Sequence, residues 1–471
     1  MTEKASLFVK KGQKKFYIIS TYGELLDLAL YLKNVEKHEV ILNITDHDYK
    51  KIGDGMLEKD NDWFKYLGKG YTWIIDGCEH GKMQDWLRGK GEFVFGGCEE
   101  GDELENDRQK NQKWFKELGF DIAPSQNFKS FEDGISFVQE NPETSFIMKQ
   151  NGDAPKRLNH KGKFQGGLDM IYHLEQMKKS WNESEYGPVD FDLMEVVEGM
   201  ELAVSSFFNG KDWMKDKNGR VIAFLNFEHK KEIDGDLGET TGELGTLFYG
   251  TTDKNKLVQD IIMKPGITDY LKKIGFRGVF DINCMLTDGG IIPLEPTCRP
   301  GIPSTSYEFL ESVENCGEMI EAVAKGLNTP ISIKEGWGMV MVLAAKPFPV
   351  EADMEQESTS IGEKLWILEG ENPIDEFTQE QRKHIHLENF EKKDDDYLVA
   401  TKNGYLLTVT GTGKSIQETR ENLIQYIKDN IYISGMKYRT DIGERYEDKE
   451  EMIKETQRSK LFVSKALFSK V

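Results

Sequence analysis

Two β-rich runs, Gly278–Leu286 and Ile291–Pro296, flank an Asp288-Gly-Gly turn signal, and each run carries an acid among apolar residues. Asp281 and Glu295 lie equidistant from position 288. Folded as a ribbon, they become cross-strand neighbours with Cβ atoms about 4.5 to 5.5 Å apart. Like charges that close repel, so either one carboxyl is protonated or a cation lies between them, and converging oxygens suit a hard ion such as Mg²⁺. Val279, Phe280 and Ile282 on one run, with Ile291, Ile292 and Leu294 on the other, predict strands buried on both faces. An unpaired carboxylate there costs several kcal/mol, which calls for a compensating charge and hints at a nucleotide-phosphate site.

At 471 residues, the chain is long enough for about three domains, and 38% hydrophobic residues with 26 Phe, 17 Tyr and 8 Trp can fill their cores. The net charge of -21 opposes nucleic-acid backbones and anionic membranes, so any phosphate ligand needs a local basic cluster. The longest apolar run, Met339–Ala345, is strand length. No signal-peptide core follows Met1, and the five cysteines show no zinc spacing, which predicts a cytoplasmic protein whose thiols are small apolar fillers.

Strand-like runs at 16–20, 40–43, 71–75 and 92–95, with a helical pattern at 24–33, give the rhythm of a parallel α/β sheet. Gly96–Gly101 suggests a boundary, followed by a helix over 103–118. Short strands are expected at 145–149 and 193–197, and another strand at 340–343. A hairpin of 397–400 and 405–409 about Asn403-Gly404, then a helix over 416–430, complete a compact α+β unit. The last residues, from about 447, are a docked helix or a tail.

Other elements complete a nucleotide site. Lys149 ends a strand, where its charge can reach a phosphate. Glu195–Glu201 reads as a strand entering a Gly turn, with backbone groups near Val197 for an adenine edge and Glu201 for ribose hydroxyls. The densest constellation is Glu228–Gly245. Its glycines at 235, 238, 242 and 245 admit an anion to the backbone, while His229, Lys230, Thr240 and Thr241 supply donors or charge. Gly411-Thr-Gly-Lys-Ser415 is not a P-loop, because Thr408 stands at its first glycine position.

Together these residues resemble the ATP-grasp superfamily, and within it the glycinamide ribonucleotide synthetases (phosphoribosylamine:glycine ligases). The run Glu228-His-Lys, Asp234-Gly-Asp236, Gly238, Thr241-Gly242 and Gly245 is similar to that family's substrate loop. Leu104–Lys110 with Gly119–Pro124 resembles its entry helix, with Arg108 where a phosphate-binding Lys is usual. Thr408–Gly413, the helix from Ile416 and Gly435–Gly443 resemble its C-terminal domain. The likeness is collinear from about 16 to 445.

The resemblance implies an α/β and α+β multidomain protein. Its expected parts are an N-terminal parallel α/β domain (1–101), an ATP-grasp domain (102–332) with a mobile lid at about 125–192, a small C-terminal α+β domain (333–445) and a charged tail (446–471). It implies ATP as cosubstrate with Mg²⁺ or Mn²⁺ on Asp281, Glu295 and Thr297. ATP contacts are expected from Arg108, Lys149, Glu195, Val197 and Glu201, and substrate contacts from Gly23, Glu79, Asp234, Asp236, Thr241, Gly242 and Arg299. Catalytic roles fall to Arg299, Lys149, His229 and Lys230. The expected partners are small molecules only, an amino acid such as glycine and an amine such as phosphoribosylamine, on a monomer or weak homodimer.

The chain departs from the family pattern at several points. Thr297 replaces the usual Asn, and the Arg-Phe-Gly-Asp-Pro-Glu signature becomes Arg299–Ser304 without its acids. The lid loop becomes Gln150–Lys156, the first glycine-rich turn becomes Ser20–Glu24, and a Gly-Pro-Glu motif survives as Gly77-Cys-Glu79. Two alternatives stay open, namely a ligase for a different amino acid and a different amine or modified nucleotide, and a silent nucleotide-binding scaffold.

Overall fold

The structure is a computed structural model that describes residues 12–151, 158–349 and 359–455. Most of the expected lid loop 150–156 and the tail beyond 455 therefore lie outside the described residues. The described residues divide into a larger unit, drawn from 12–111, 202–283 and 295–455, and a smaller one, drawn from 112–201 and 284–294.

In the larger unit the N-terminal rhythm resolves as a parallel sheet. Its strand order is Glu58–Lys59, Glu39–Ile44, Lys15–Ser20, Thr72–Ile75, Phe93–Phe95. Tyr17, Trp73 and Ile75 on these strands are fully buried in an aromatic-rich core beside Tyr66 and Tyr71. Continuous apolar runs suit such a sheet because both faces are covered.

The second sheet has eight strands. From one edge to the other the order is Gly290–Thr297, Gly278–Thr287, Met200–Phe208, Ile222–Glu228, Gly245–Thr252, Gly336–Ala344, Tyr405–Gly413 and Ile385–Leu387. The position expected for a boundary, 332, thus precedes a strand that hydrogen-bonds directly to Gly245–Thr252. Gly290–Thr297 is the outermost strand, which corrects the expectation of burial on both faces. Val279, Phe280 and Ile282 are buried, but Ile291, Ile292 and Leu294 are only half-buried and Glu295 is exposed, because an edge strand keeps a solvent side.

In the smaller unit, four antiparallel strands run in the order Ser125–Phe128, Phe191–Glu195, Phe146–Gln150, His160–Lys161. They pack with helices Phe131–Glu140 and Leu168–Ser180 around Phe128, Phe131, Phe146 and Phe191. The expected strand through Val197 stops at Glu195, and the next begins at Met200. Between them Gly199 packs so tightly that a Cβ would meet the Leu286 carbonyl at 2.1 Å, so the glycine serves close approach.

Two further expectations are corrected. The helix over 103–118 is two helices, Glu99–Asn106 and Arg108–Glu117, broken at Asp107, whose ψ of 98° is extended. The Asp107 side chain accepts from the Lys110 N–H at 2.9 Å, which starts the second helix. The hairpin about Asn403-Gly404 does not form. Asp396–Val399 pairs instead with Phe390–Lys393 around Asp394 and Asp395, both at positive φ, while Tyr405–Gly413 joins the large sheet. The helix Ile416–Asn430 appears as expected, capped by the Ser415 side chain.

Candidate functional site

Strand period brings the site together. Asp281 and Asn283, two residues apart on Gly278–Thr287, face one side, as do Glu295 and Thr297 on the adjacent strand. These four line a cavity of about 190 Å³ in the larger unit, together with Lys230, Gly242, Glu243 and Arg299. Glu228 and Glu308 complete its acidic wall.

Burial and charge crowding set the electrostatics. Burial, then the charges of Glu228 and Glu308, push the Asp281 carboxyl well above the carboxylate range, against the opposing pull of Arg299. Burial likewise raises Glu243 far above its ordinary value and Glu308 to about 7. Glu308 accepts hydrogen bonds from the Ser205 hydroxyl and, at 2.9 Å, from the Asn226 amide. Burial works against the Arg299 charge, but Glu105, Cys78 and Glu24 outweigh it and hold the guanidinium above its usual value. Its Nε donates to Glu105 Oε1 at 3.1 Å, and Glu105 also accepts from the Cys298 N–H at 2.7 Å, which fixes the turn after Thr297. Lys230 pairs with Glu228 at 2.9 Å.

The donor set fits a divalent oxygen-seeking ion. Asp281 Oδ1, Asn283 Oδ1 and Glu243 Oε1 are buried without a hydrogen-bond partner in this one cavity. Orphaned acceptors of this kind imply an external cation or donor. Among the described residues no three His, Cys, Asp or Glu side chains could hold a metal ion by themselves. An ion on Asp281, Glu295 and Thr297 would therefore complete its shell with phosphate oxygens and water, as Mg²⁺ commonly does.

The structure places the remaining candidates as follows. Lys230, Gly242 and Arg299 share the cavity with the metal candidates. Gly23 lines a neighbouring cavity, whereas Glu79 is exposed and lines none of those described. Arg108 opens the helix Arg108–Glu117. Lys149, Glu195, Val197 and Glu201 belong to the smaller unit, Lys149 opposite Asp192 in its sheet.

Four residues of the expected substrate loop have partners within the chain. His229 is 1% exposed, and its Nε2 accepts the Gly443 N–H at 3.1 Å while burial holds its pKa down to about 3. The neutral ring thus ties the loop to the segment at Gly443. Asp234 accepts from the Thr440 N–H at 2.8 Å, and Asp236 takes Arg439 at 2.9 Å and Arg445 at 2.8 Å, so both acids pin the loop to the C-terminal segment. Thr241 is also committed locally, since its N–H and hydroxyl both donate to the Lys230 carbonyl. The sequence reading passed over Asn283, Glu243 and Glu308 as site residues. Period two from Asp281 signals Asn283, whereas Glu308 lies on a π-helical turn, Ser306–Glu311, that no local pattern announces.

Residues 107–305 match the family model described as phosphoribosylglycinamide synthetase, ATP-grasp (A) domain. A phosphoribosylamine–glycine ligase of a Nostoc species is 25% identical over 80% of this chain and 85% of its own. That of Lactococcus lactis is 22% identical over 75% and 78%. Among solved structures, the phosphoribosylamine–glycine ligase of Thermotoga maritima superposes with a TM-score of 0.64 at 18% identity, covering 91% of this chain and 100% of that one. The biotin carboxylase domain of the Hydrogenobacter thermophilus 2-oxoglutarate carboxylase, solved with MgADP, gives 0.56 at 12% identity over 94% and 96%. The chain thus shares the fold of these solved structures, and its stretch 107–305 is similar to the ATP-grasp (A) domain of phosphoribosylglycinamide synthetase.

Proposed function

We propose that the chain is an ATP-dependent, ADP-forming carbon–nitrogen ligase of the phosphoribosylglycinamide synthetase type. By analogy with its relatives it joins the carboxylate of glycine to an amine of the phosphoribosylamine kind, a purine-biosynthetic step yielding glycinamide ribonucleotide, ADP and phosphate. A substrate carboxylate oxygen attacks the γ-phosphorus and ADP departs. The amine nitrogen then attacks the acyl carbon, loses a proton, and phosphate leaves with the bonding pair.

The observation that carries this reading is the convergence of Asp281, Asn283, Glu295, Thr297, Lys230 and Arg299 on one cavity where Asp281 Oδ1, Asn283 Oδ1 and Glu243 Oε1 are buried without a hydrogen-bond partner. Phosphoryl transfer needs positioning and charge neutralisation and no side-chain nucleophile. Mg²⁺ or Mn²⁺ held by Asp281, Glu295 and Thr297 would neutralise phosphate charge. Arg299, fixed by Glu105, orients the acyl phosphate, and Lys230 offers a cation to its oxygens. Arg108, Lys149, Glu195, Val197 and Glu201 are the proposed nucleotide contacts, and the segment 125–192 the proposed lid. The low cysteine demand and acidic charge suit a cytoplasmic enzyme of small molecules, monomeric or weakly dimeric.

Trapping with hydroxylamine tests the first step. ATP, Mg²⁺ and glycine should give ADP and a hydroxamate, and no hydroxamate with any amino acid would leave a nucleotide-binding scaffold. A second reading, the same ATP chemistry with a different amine, is favoured by Glu24, Glu243 and Glu388 in the lining of the neighbouring cavity.

A further inference from the structure

Elsewhere in the larger unit, a cavity of about 200 Å³ is walled by the helix Leu26–Asn34 and by the segment 376–397. The helix turns one face to it, Asp27, Leu30, Tyr31 and Asn34, at the three- and four-residue spacing of an α-helix. The other segment brings two cations, Arg382 and Lys392, which share a single acid, Glu376.

The acceptors in this lining are taken. Glu376 accepts from Lys392, from Arg382 at 2.9 Å and from the Tyr397 hydroxyl at 3.0 Å. Asp27 accepts from the Ser306 hydroxyl at 2.8 Å and from the Leu28 N–H, and burial pushes its carboxyl up to about 6. The donors are not used up. Among the described residues, Glu376 takes the only side-chain hydrogen bond that Arg382 or Lys392 makes, and the Tyr31 hydroxyl makes none. A guanidinium and an ammonium carry more N–H groups than that. A surplus of charged donors suits a guest rich in acceptors, and an oxyanion gains the charge-assisted bonds. A cationic guest would meet the like charges of Arg382 and Lys392. Leu30, Val35, Met56 and Leu387 offer apolar wall to the rest of such a guest.

Two wall residues reach the turn that carries Glu308. Asp27 holds Ser306, the first residue of the π-helical turn Ser306–Glu311, and the Ser306 hydroxyl accepts from Thr408 at 2.8 Å. His386 Nε2 bonds the Thr410 hydroxyl at 2.9 Å, and that hydroxyl donates to Glu311, the last residue of the turn, at 2.9 Å. Between these anchors stands Glu308, in the wall of the cavity that holds Asp281 and Arg299. A guest that shifts Asp27 or His386 therefore acts on both ends of the turn.

We infer that this cavity is an effector site for a small organic oxyanion, a phosphate or carboxylate on an apolar body, held by Arg382, Lys392 and Tyr31 and coupled through Ser306–Glu311 to the nucleotide site. The inference adds regulation to the ligase reading above, and its coupling rests on that reading's nucleotide site.

The test is calorimetric titration of the full chain, with and without saturating ADP and Mg²⁺, using phenyl phosphate, benzoate and inorganic phosphate. The first two separate the head groups on one ring, and the third lacks the apolar body. One aromatic anion should bind with ADP already in place, and Arg382→Gln and Lys392→Gln should each weaken it at least about tenfold. Tyr31→Phe, which removes one hydroxyl and no charge, should weaken it about threefold and keeps the test open if a charge variant fails to fold. By linkage, the saturating anion should shift the Kd of ADP at least about threefold in the wild type and not in Arg382→Gln. Binding of inorganic phosphate alone, or of neither aromatic anion, overturns the inference. So does binding that these variants leave unchanged, or a bound anion that leaves ADP affinity where it was. Absence of hydroxamate in the trapping assay, with the anion bound and ADP affinity shifted, overturns the ligase reading alone and supports the effector site.

Discussion

Glu308 and Glu311 stand three residues apart on the same π-helical turn, both almost fully buried, yet burial raises one to about 7 while the other is drawn down to about 2. Glu308 receives only neutral donors, the Ser205 hydroxyl and the Asn226 amide. Glu311 takes His384 Nδ1 and Lys334 Nζ, each at 2.6 Å, and the Thr410 hydroxyl at 2.9 Å; for Glu311, burial alone would raise the pKa, but these cations outweigh it. His386 Nε2 donates in turn to Thr410 at 2.9 Å. The Glu311 side is a closed network that stabilises the fold. The Glu308 side, facing Asp281 and Glu243, leaves negative charge uncompensated in the cavity and so keeps affinity in reserve for a cationic guest.

The largest test of this contrast is Asp281→Asn. It should lower ADP release at least about a thousandfold, the scale of losing a phosphate-neutralising centre, while the thermal midpoint stays or rises because an uncompensated buried charge is gone. Normal turnover would cancel the metal assignment. Next, Glu311→Gln should cost roughly 3 kcal/mol in denaturant unfolding at pH 6. The depressed Glu311 contributes fully above its ordinary value near 4.5 and loses its contribution as pH falls towards 2. His384, raised from 6.5, contributes fully below that value and fades as pH climbs through its folded pKa. The gap between wild type and variant should therefore close at both ends. In the opposite direction, Glu308→Gln should gain about 1 to 2 kcal/mol at pH 8, and the gain should vanish below about pH 4.5, where both folded and unfolded carboxyls are protonated. A control remote from both, Ser415→Ala, removes the cap of the Ile416–Asn430 helix and should cost roughly 0.5 to 1 kcal/mol without pH dependence over pH 5 to 8.

Local patterns made the elements legible where one force dominated. Unbroken apolar runs announced the parallel sheet, and the helix Ile416–Asn430 forms over the span expected of it. The Asn403-Gly404 signal misled because Gly404 is there for contact, since a Cβ would meet the Ala345 carbonyl at 2.0 Å. Asp281, Glu295 and Arg299 were legible from strand spacing and family likeness. His229, Asp234 and Asp236 were not, because their partners lie some two hundred residues away at 439–445. Glu388 gave no signal at all, because the cavity it lines is built from segments distant in sequence.

Arg439, 2% exposed, donates to the Lys231 carbonyl, to Asp236 and doubly to Asp441, while Asp441 accepts from the Gly235 N–H. The glycine-rich loop is thus moulded by a stretch synthesised some two hundred residues after it. A polypeptide released by the ribosome before position 439 would retain the strands carrying Asp281 and Glu295 but lack the clasp that shapes the loop beside them, so truncated products are expected to be inert and not promiscuous.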